Sequence, residues 1–373
     1  MRILEINECE LPEGWERKRL GELVVLNYGK GLPAQVRKEG RIPVYGSNGI
    51  VGWHNQPLIR FPTIIVGRKG TVGAIHYIAE PCYPIDTTYY ITIKNGIKAE
   101  IKFLYYLLKS INLAEMDTST AIPGLNRNDI YLLDVPIPSF EIQKKIVVKL
   151  DAFFEHYNEV KKQHEMEKSK VNKIMQAAIG KMIPNPKGEL LEGWRIRNFV
   201  DCLSKNTYSL SKIKIPTSQY LKNGRFPIID QGQDFIAGYC NDETNVLQYN
   251  SPIIIFGDHT KILKYVDFPF CVGADGVRIL IPNKEIIPKF FYYNLLLVAK
   301  SLDERGYSRN YRYLVEKQLT VPPFRIQHKI VAKLDAIYGE LIHALQELER
   351  KNHAIELLPK MVLRKAFNGE LIS

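Results

Sequence analysis

Apolar residues change their spacing at two equivalent places in this chain of 373 residues. Up to about residue 140 they come in short runs such as "PTIIVG" and "TTYYITI", punctuated by Gly and Pro, the pattern of strands joined by tight turns. One helical stretch, "EIKFLYYLLKSINL", interrupts them. After Pro138 the period lengthens. Ile142, Ile146, Leu150, Phe153 and Tyr157, then Val160, His164, Val171, Ile174 and Ala178, fall at steps of three and four, a heptad seam with one charged gap at Glu167. The same happens near the C-terminal end, at Ile326, Ile330, Leu334, Ile337 and Leu341, then Ala344, Leu348, Ile355, Leu358 and Val362. Each seam predicts a helix of about 40 residues, roughly 60 Å long. Ser139 is placed to cap the first, Gly180 and Pro184 to end it, and Gly369 to end the second. Pro359 falls inside the second seam and is expected to kink it.

The two seams open with nearly the same words. "IQKKIVVKLDA" at Ile142–Ala152 returns as "IQHKIVAKLDA" at Ile326–Ala336. "VPIPSFEIQ" returns as "VPPFRIQ", "KFLYYLL" at Lys102–Leu108 as "KFFYYNLLL" at Lys289–Leu297, and "EGW" at Glu13–Trp15 again at Glu192–Trp194. "IPVYGSNGIVGW" at Ile42–Trp53 has a looser echo in "FPIIDQGQDFIAGY" at Phe226–Tyr239. Every echo keeps the same order, so the chain is a duplication of a domain plus a connector.

These patterns predict an α+β chain with a pseudo-two-fold internal repeat. A mixed α/β globule would occupy 1–140, a helix 141–183, a second globule 184–323 and a second helix 324–373. A heptad stripe needs a partner, and the chain supplies one other copy. The second helix must turn back to meet the first, so the two are expected to form an antiparallel coiled coil separating the globules.

Composition narrows the partner. Lys and Arg number 51 against 40 Asp and Glu, a formal charge of +11, which favours a polyanion. The five cysteines, Cys9, Cys82, Cys202, Cys240 and Cys271, are scattered without a CxxC pair, as in reduced cytoplasmic proteins. The eight histidines form no HxxxH or HExxH pair. With no long apolar run and no basic–apolar start, neither a membrane span nor a signal peptide is expected.

Candidate chemistry lies in the turns. "GRKGTVG" at Gly67–Gly73 lacks the ending of a phosphate-binding P-loop and reads as a tight turn offering Arg68 and Lys69 to a nucleic-acid backbone. "TSTAIPGLNRNDIY" at Thr118–Tyr131 and "RGYSRNYRY" at Arg305–Tyr313 occupy the same slot in the two halves. Both mix Arg with Asn, Ser or Thr, the residue types that contact base edges and phosphates. The candidate DNA contacts are therefore Ser47, Asn48, Arg68, Lys69, Thr118, Thr120, Asn126, Arg127 and Asn128 in the first half. In the second they are Gln231, Gln233, His259, Lys261, Arg305, Tyr307, Arg309, Asn310 and Arg312. "VPPF" at Val321–Phe324 has Val where an amino-methyltransferase motif needs an Asn or Asp acceptor, and it is discounted. One alternative is a metal-dependent nuclease using Asp86, Glu100 and Lys102, a spacing without a counterpart in the second half. Another is a coiled-coil scaffold that binds no DNA.

Two variable globules, each followed by a matching helix, resemble the specificity (S) subunits of Type I restriction-modification enzymes. The resemblance spans nearly the whole chain and rests on "LPEGW", "IPVYGSNGIVGW", "GRKGTVG", "STAIPGLNRNDI" and above all "VPIPSFEIQKKIVVKLD". It implies that each globule is a target recognition domain for one half of a bipartite double-stranded DNA site. The helical rod would set the spacing and dock two methyltransferase (M) subunits, which recruit restriction (R) subunits. It further implies a non-catalytic, cytoplasmic chain without a cofactor of its own, S-adenosylmethionine, ATP and Mg lying on the partners. The second half departs from the first at "FGDHTKI", where Asp258 stands in the slot of Arg68.

Overall fold

The computed structural model describes residues 11–116, 124–208, 214–274, 276–302 and 309–371. Compactness divides the chain into two units, Met1–Gln163 with Arg350–Ser373, and His164–Glu349. Each unit thus keeps one globule and a part of both long helices.

In the first unit β1 (Glu16–Arg19) leads through a one-turn helix, α1 (Leu20–Leu23), into β2 (Val24–Tyr28). A hairpin follows, β3 (Ile42–Gly46) and β4 (Gly49–His54), then β5 (Thr63–Gly67), β6 (Ile75–Ile78), β7 (Tyr83–Pro84) and β8 (Thr88–Ile93). Helices α2 (Ile101–Ser110) and α3 (Arg127–Tyr131) precede β9 (Asp134–Ile137) and the first long helix, α4 (Phe140–Met182). The main sheet is antiparallel, in the order β2-β8-β5-β6. A second sheet, β4-β3-β7, carries the hairpin, and β1 pairs with β9. Strand β5 reads TIIVG and is buried throughout, as a central strand covered on both faces must be. Helix α2 sits against it and places Phe103, Leu104, Leu107 and Leu108 in the core.

The second unit repeats this plan. Strand β10 (Arg195–Asn198) pairs with β17 (Gln318–Val321) as β1 does with β9. Strands β11 (Phe226–Ile229), β12 (Gly238–Cys240) and β15 (Cys271–Val272) form one sheet; β13 (Ile253–Gly257), β14 (Leu263–Val266) and β16 (Val277–Leu280) form the other, ordered β14-β13-β16. Helices α5 (Pro288–Lys300), α6 (Tyr311–Val315) and the second long helix, α7 (Phe324–Phe367), take the places of α2, α3 and α4.

The repeated phrase fastens each long helix to its globule. In the first unit the buried Gln143 accepts the Glu100 backbone N–H at 2.9 Å and donates to the Pro138 carbonyl at 3.0 Å. Asp151, just over two turns on, receives the Tyr106 hydroxyl at 2.5 Å and the Lys102 ammonium at 2.7 Å. In the second, Gln327 accepts the Ile287 N–H at 2.8 Å and donates to the Glu285 and Pro322 carbonyls. Asp335 there receives the Tyr293 hydroxyl at 2.5 Å and lies 3.6 Å from Lys289. "KFLYY" and "KFFYY" recur because they hold the donors that "LDA" needs.

The seams were legible near each junction and drift away from it. Ile146 and Leu150 are buried in the first unit with Leu363, Ala366 and Phe367 of α7, while Ile142 packs beside them. Phe153 and Tyr157 are half-buried and stack on each other. Lys161 meets Glu356 at 2.7 Å, so within this unit a later residue of α4 faces an earlier one of α7 and the segments run in opposite directions. In the second unit Ile330, Leu334 and Tyr338 share a core with Ile179 and Ile183, and Ile326 packs on it. Ile337 and Leu341 are half-buried. Ile174 and Leu358 are exposed, against expectation; Met175 with Ile179, and Leu363, take inward positions instead, while Val362 of the expected seam packs on the core. A straight helix turns 3.6 residues per turn, not 3.5, and the stripe slides off a strict heptad. Gly180 likewise does not end α4, which runs to Met182 before Pro184 stops it. Helix α7 continues through Pro359 and ends at Gly369, whose φ of 81° is the left-handed cap.

Removing the Tyr106 hydroxyl (Tyr106→Phe) is expected to cost about 1.5–3 kcal/mol in denaturant unfolding at neutral pH. Burial first, then the Asp151 carboxylate, raise the Tyr106 pKa above its ordinary value of 10.0. The hydroxyl therefore stabilises the fold fully below pH 10 and loses that contribution as pH rises further, so the Phe variant should show a shallower alkaline loss. Gln143→Ala should cost about 2–3 kcal/mol, since it strands both a donor and an acceptor inside the junction.

Candidate nucleic-acid interface

In the first unit, the turn after β5 is built around glycines with no room for a side chain. A Cβ on Gly67 would come within 2.2 Å of the Thr71 carbonyl, and one on Gly73, at φ 76°, within 2.5 Å of the Ala114 nitrogen. Backbone bonds from Arg68 and Lys69 to the Thr87 carbonyl, and from Leu125 to the Arg68 carbonyl, hold the turn against β8 and the α3 segment. The Arg68 guanidinium donates to the Asp86 carbonyl at 2.9 Å and lies over the rings of Tyr28, at 5.2 Å, and Tyr89, at 5.9 Å. Arg127, the first residue of α3, places its guanidinium 5.1 Å from the same Tyr28 ring. Tyr28 is half exposed, and no carboxylate among the described residues forms an ion pair with Arg68, Lys69 or Arg127. Burial and then the hydrogen-bonded Tyr28 push the Tyr89 hydroxyl up to about 12, keeping it a neutral donor to the Leu125 carbonyl at 3.0 Å. Two cations against one aromatic ring, with Arg68 Nε unpaired among the described residues, form a surface that an anion would complete.

Lys69, Asn48, Asn126 and Asn128 are exposed around this pair. Asn126 caps α3, accepting the Asn128 N–H at 3.0 Å, so Arg127 and Asn128 stand on a short helix and not in the turn itself. Ser47 is also corrected: it is buried, with its hydroxyl 2.6 Å from the Lys69 carbonyl and 2.8 Å from that of Thr87, so it braces the turn. Thr118 and Thr120 lie outside the described residues.

The second unit builds the same slot from different chemistry. Strand register pairs Val66 with Tyr89 in the first unit and Phe256 with Arg278 in the second, so Arg278 stands where Tyr89 does. Asp258, in the slot of Arg68, is buried and takes the Arg278 guanidinium at 3.0 and 3.2 Å. Its other carboxylate oxygen accepts the Tyr311 N–H at 2.8 Å, and Arg278 lies 4.9 Å from the Tyr311 ring. A cation–ring pair in one half has become an ion pair with a ring in the other. Arg278 lies in a strand, outside the turns that the sequence marks as candidates, and only the register brings it to the site.

Three candidates in this half turn out to be internal braces. Asn310 is buried and donates from its backbone and its amide to the Asp258 carbonyl at 2.7 and 2.9 Å. Gln231 accepts the His259 N–H at 3.1 Å, and Lys261 donates to the Leu302 carbonyl at 2.9 Å. His259 is half-buried beside them. Gln233, Arg309 and Arg312 are exposed, and Arg312 stacks 4.6 Å from Tyr313. Arg305 and Tyr307 lie outside the described residues.

Two of the three nuclease residues have structural partners. Lys102 is held by Asp151, Glu100 caps α2, and among the described residues no group of three His, Cys, Asp or Glu is placed to hold a metal ion. No helix among the described residues is long and apolar enough to cross a membrane.

The family model for the Type I restriction modification DNA specificity domain matches residues 12–168 and again 204–350. Over 412 residues the chain is 21% identical to the EcoDI specificity subunit of Escherichia coli, covering 97% of this chain and 90% of that one. It is 23% identical to the MjaIX specificity subunit of Methanocaldococcus jannaschii, covering 95% and 94%. Among solved structures, a chain from work on complex assembly and conformational transition of the type I R-M system matches with a TM-score of 0.66 at 20% identity, over 97% of this chain and all of that one. The doubled globule, the doubled junction and the doubled family match agree: the chain belongs to the Type I restriction-modification DNA specificity family and carries that domain twice.

Proposed function

We propose that each unit reads one half of a bipartite DNA site, and that the chain is the non-catalytic adaptor of a cytoplasmic methyltransferase–endonuclease assembly. The long helices pair as an antiparallel rod that sets the spacing and docks two methyltransferase subunits, through which restriction subunits join. S-adenosylmethionine, ATP and Mg act on those partners. The observation that carries this reading is the pair of equivalent turns with different polar chemistry, Arg68–Tyr28–Arg127 in one and Arg278–Asp258–Tyr311 in the other. A common frame presents each; a duplicated reader of two different sequences needs that combination.

In the first half the Arg68 and Arg127 guanidiniums, which form no ion pair among the described residues, suit direct contact with bases or phosphates. Arg278 is already neutralised by Asp258, so exposed Arg309 and Arg312 carry more of the contact in the second.

Arg127→Ala is expected to weaken or relax recognition of the first half-site only, and Arg309→Ala the second only, each by about 1–3 kcal/mol. Binding of split-site duplexes by the complex with its methyltransferase, across a salt series, measures this; an equal effect on both half-sites would remove the assignment. Adding one heptad to both long helices adds about 10 Å, and mapping of methylated sites should then show a spacer longer by about three base pairs at 3.4 Å per step.

A further inference from the structure

In the second unit an open cleft of about 700 Å³ is lined by Lys168, Lys173 and Gln176 of α4, Leu296 and Lys300 of α5, and Tyr338 of α7. Tyr338 is only 7% exposed, yet among the described residues its hydroxyl has no hydrogen-bond partner, and neither has the Gln176 side-chain oxygen. A buried hydroxyl without a partner has lost its water and gained nothing, and such groups ask for an occupant. Burial raises the Tyr338 pKa, so the phenol stays protonated and offers a donor. Three lysines against Glu165 leave the rim positive.

The duplication supplies an internal control. Phe154 stands at the place of Tyr338 in the first copy of the phrase and has no hydroxyl to satisfy. Lys109, the counterpart of Leu296, lays its ammonium 4.9 Å from the Phe154 ring and donates to the Tyr105 hydroxyl at 3.2 Å. The first half therefore covers this ring with its own cation. The second has lost that lysine and gained an unpartnered hydroxyl.

We propose that the cleft binds a small phosphorylated molecule. Lys168, Lys173 and Lys300 hold the phosphate, the Tyr338 hydroxyl and the Gln176 amide meet polar groups on its body, and Leu296 covers an apolar face. Three ammonium groups around one cleft suit a compact multivalent anion better than a lone carboxylate, and the volume is that of a small-ligand site. The site is separate from the DNA-contact turns and does not rest on the reading proposed for them.

Titration calorimetry of the full chain with adenosine 5′-monophosphate and with ribose 5-phosphate tests it. Saturable binding of at least one is expected. Tyr338→Phe, which installs the first half's residue, should weaken it about tenfold without lowering the melting temperature. Lys168→Ala, which removes one of the cations that hold the phosphate, should weaken it as much, and Lys109→Leu should change nothing. The proposal is overturned if neither probe binds at millimolar concentration, or if Tyr338→Phe and Lys168→Ala both keep the affinity of the unaltered chain. It is equally overturned if the methyltransferase partner shields Lys168 and Lys300 from acetylation while the phosphates do not, since the cleft is then a protein-docking groove.

Discussion

One buried glutamine and one carboxylate fix each long helix to its globule, and the remaining geometry hangs from them. An apolar stripe tolerates rotation and sliding, because dispersion contacts are non-directional. Gln143 engages a backbone N–H and a carbonyl at the helix start, and Asp151 engages a hydroxyl and an ammonium just over two turns later. Two directional contacts at different heights set both the rotation and the axial position. Gln327 and Asp335 do the same in the second unit. Helix α2 lies between this junction and β5, and the turn that carries Arg68 leaves the end of β5.

With the frame fixed, the display turns can differ without cost to it. Arg68 and Arg127 share the exposed ring of Tyr28, leaving positive charge at the surface. In the second unit Asp258 is buried on Arg278 and on the α6 backbone, which cancels that charge and ties strand to helix. A buried carboxylate is tolerated there because it accepts three directional bonds. The two surfaces therefore share a backbone and differ in electrostatic character.

Much of the frame was visible in the letters. The buried run TIIVG, the apolar face of KFLYYLL and the start of each seam gave strands and helices of the right kind, because burial imposes a period that composition records. The site was less visible. Ser47, Gln231 and Asn310 look like surface polar residues in a turn, yet each turns inward and bonds to backbone groups of a neighbouring segment. The amino acid is the same in either role; the neighbouring carbonyl decides.

By itself the sequence determined the duplication, the α+β character, the two long helices and the basic charge, since all of these are written in local period, repetition and count. Only the tertiary structure decided which polar side chains face outward, and that Arg278 replaces Tyr89 across the sheet. It also decided that the seam slips from Ile174 to Met175 and Ile179. These depend on distances between residues far apart in the chain, where a shift of one position turns a contact into an exposed group.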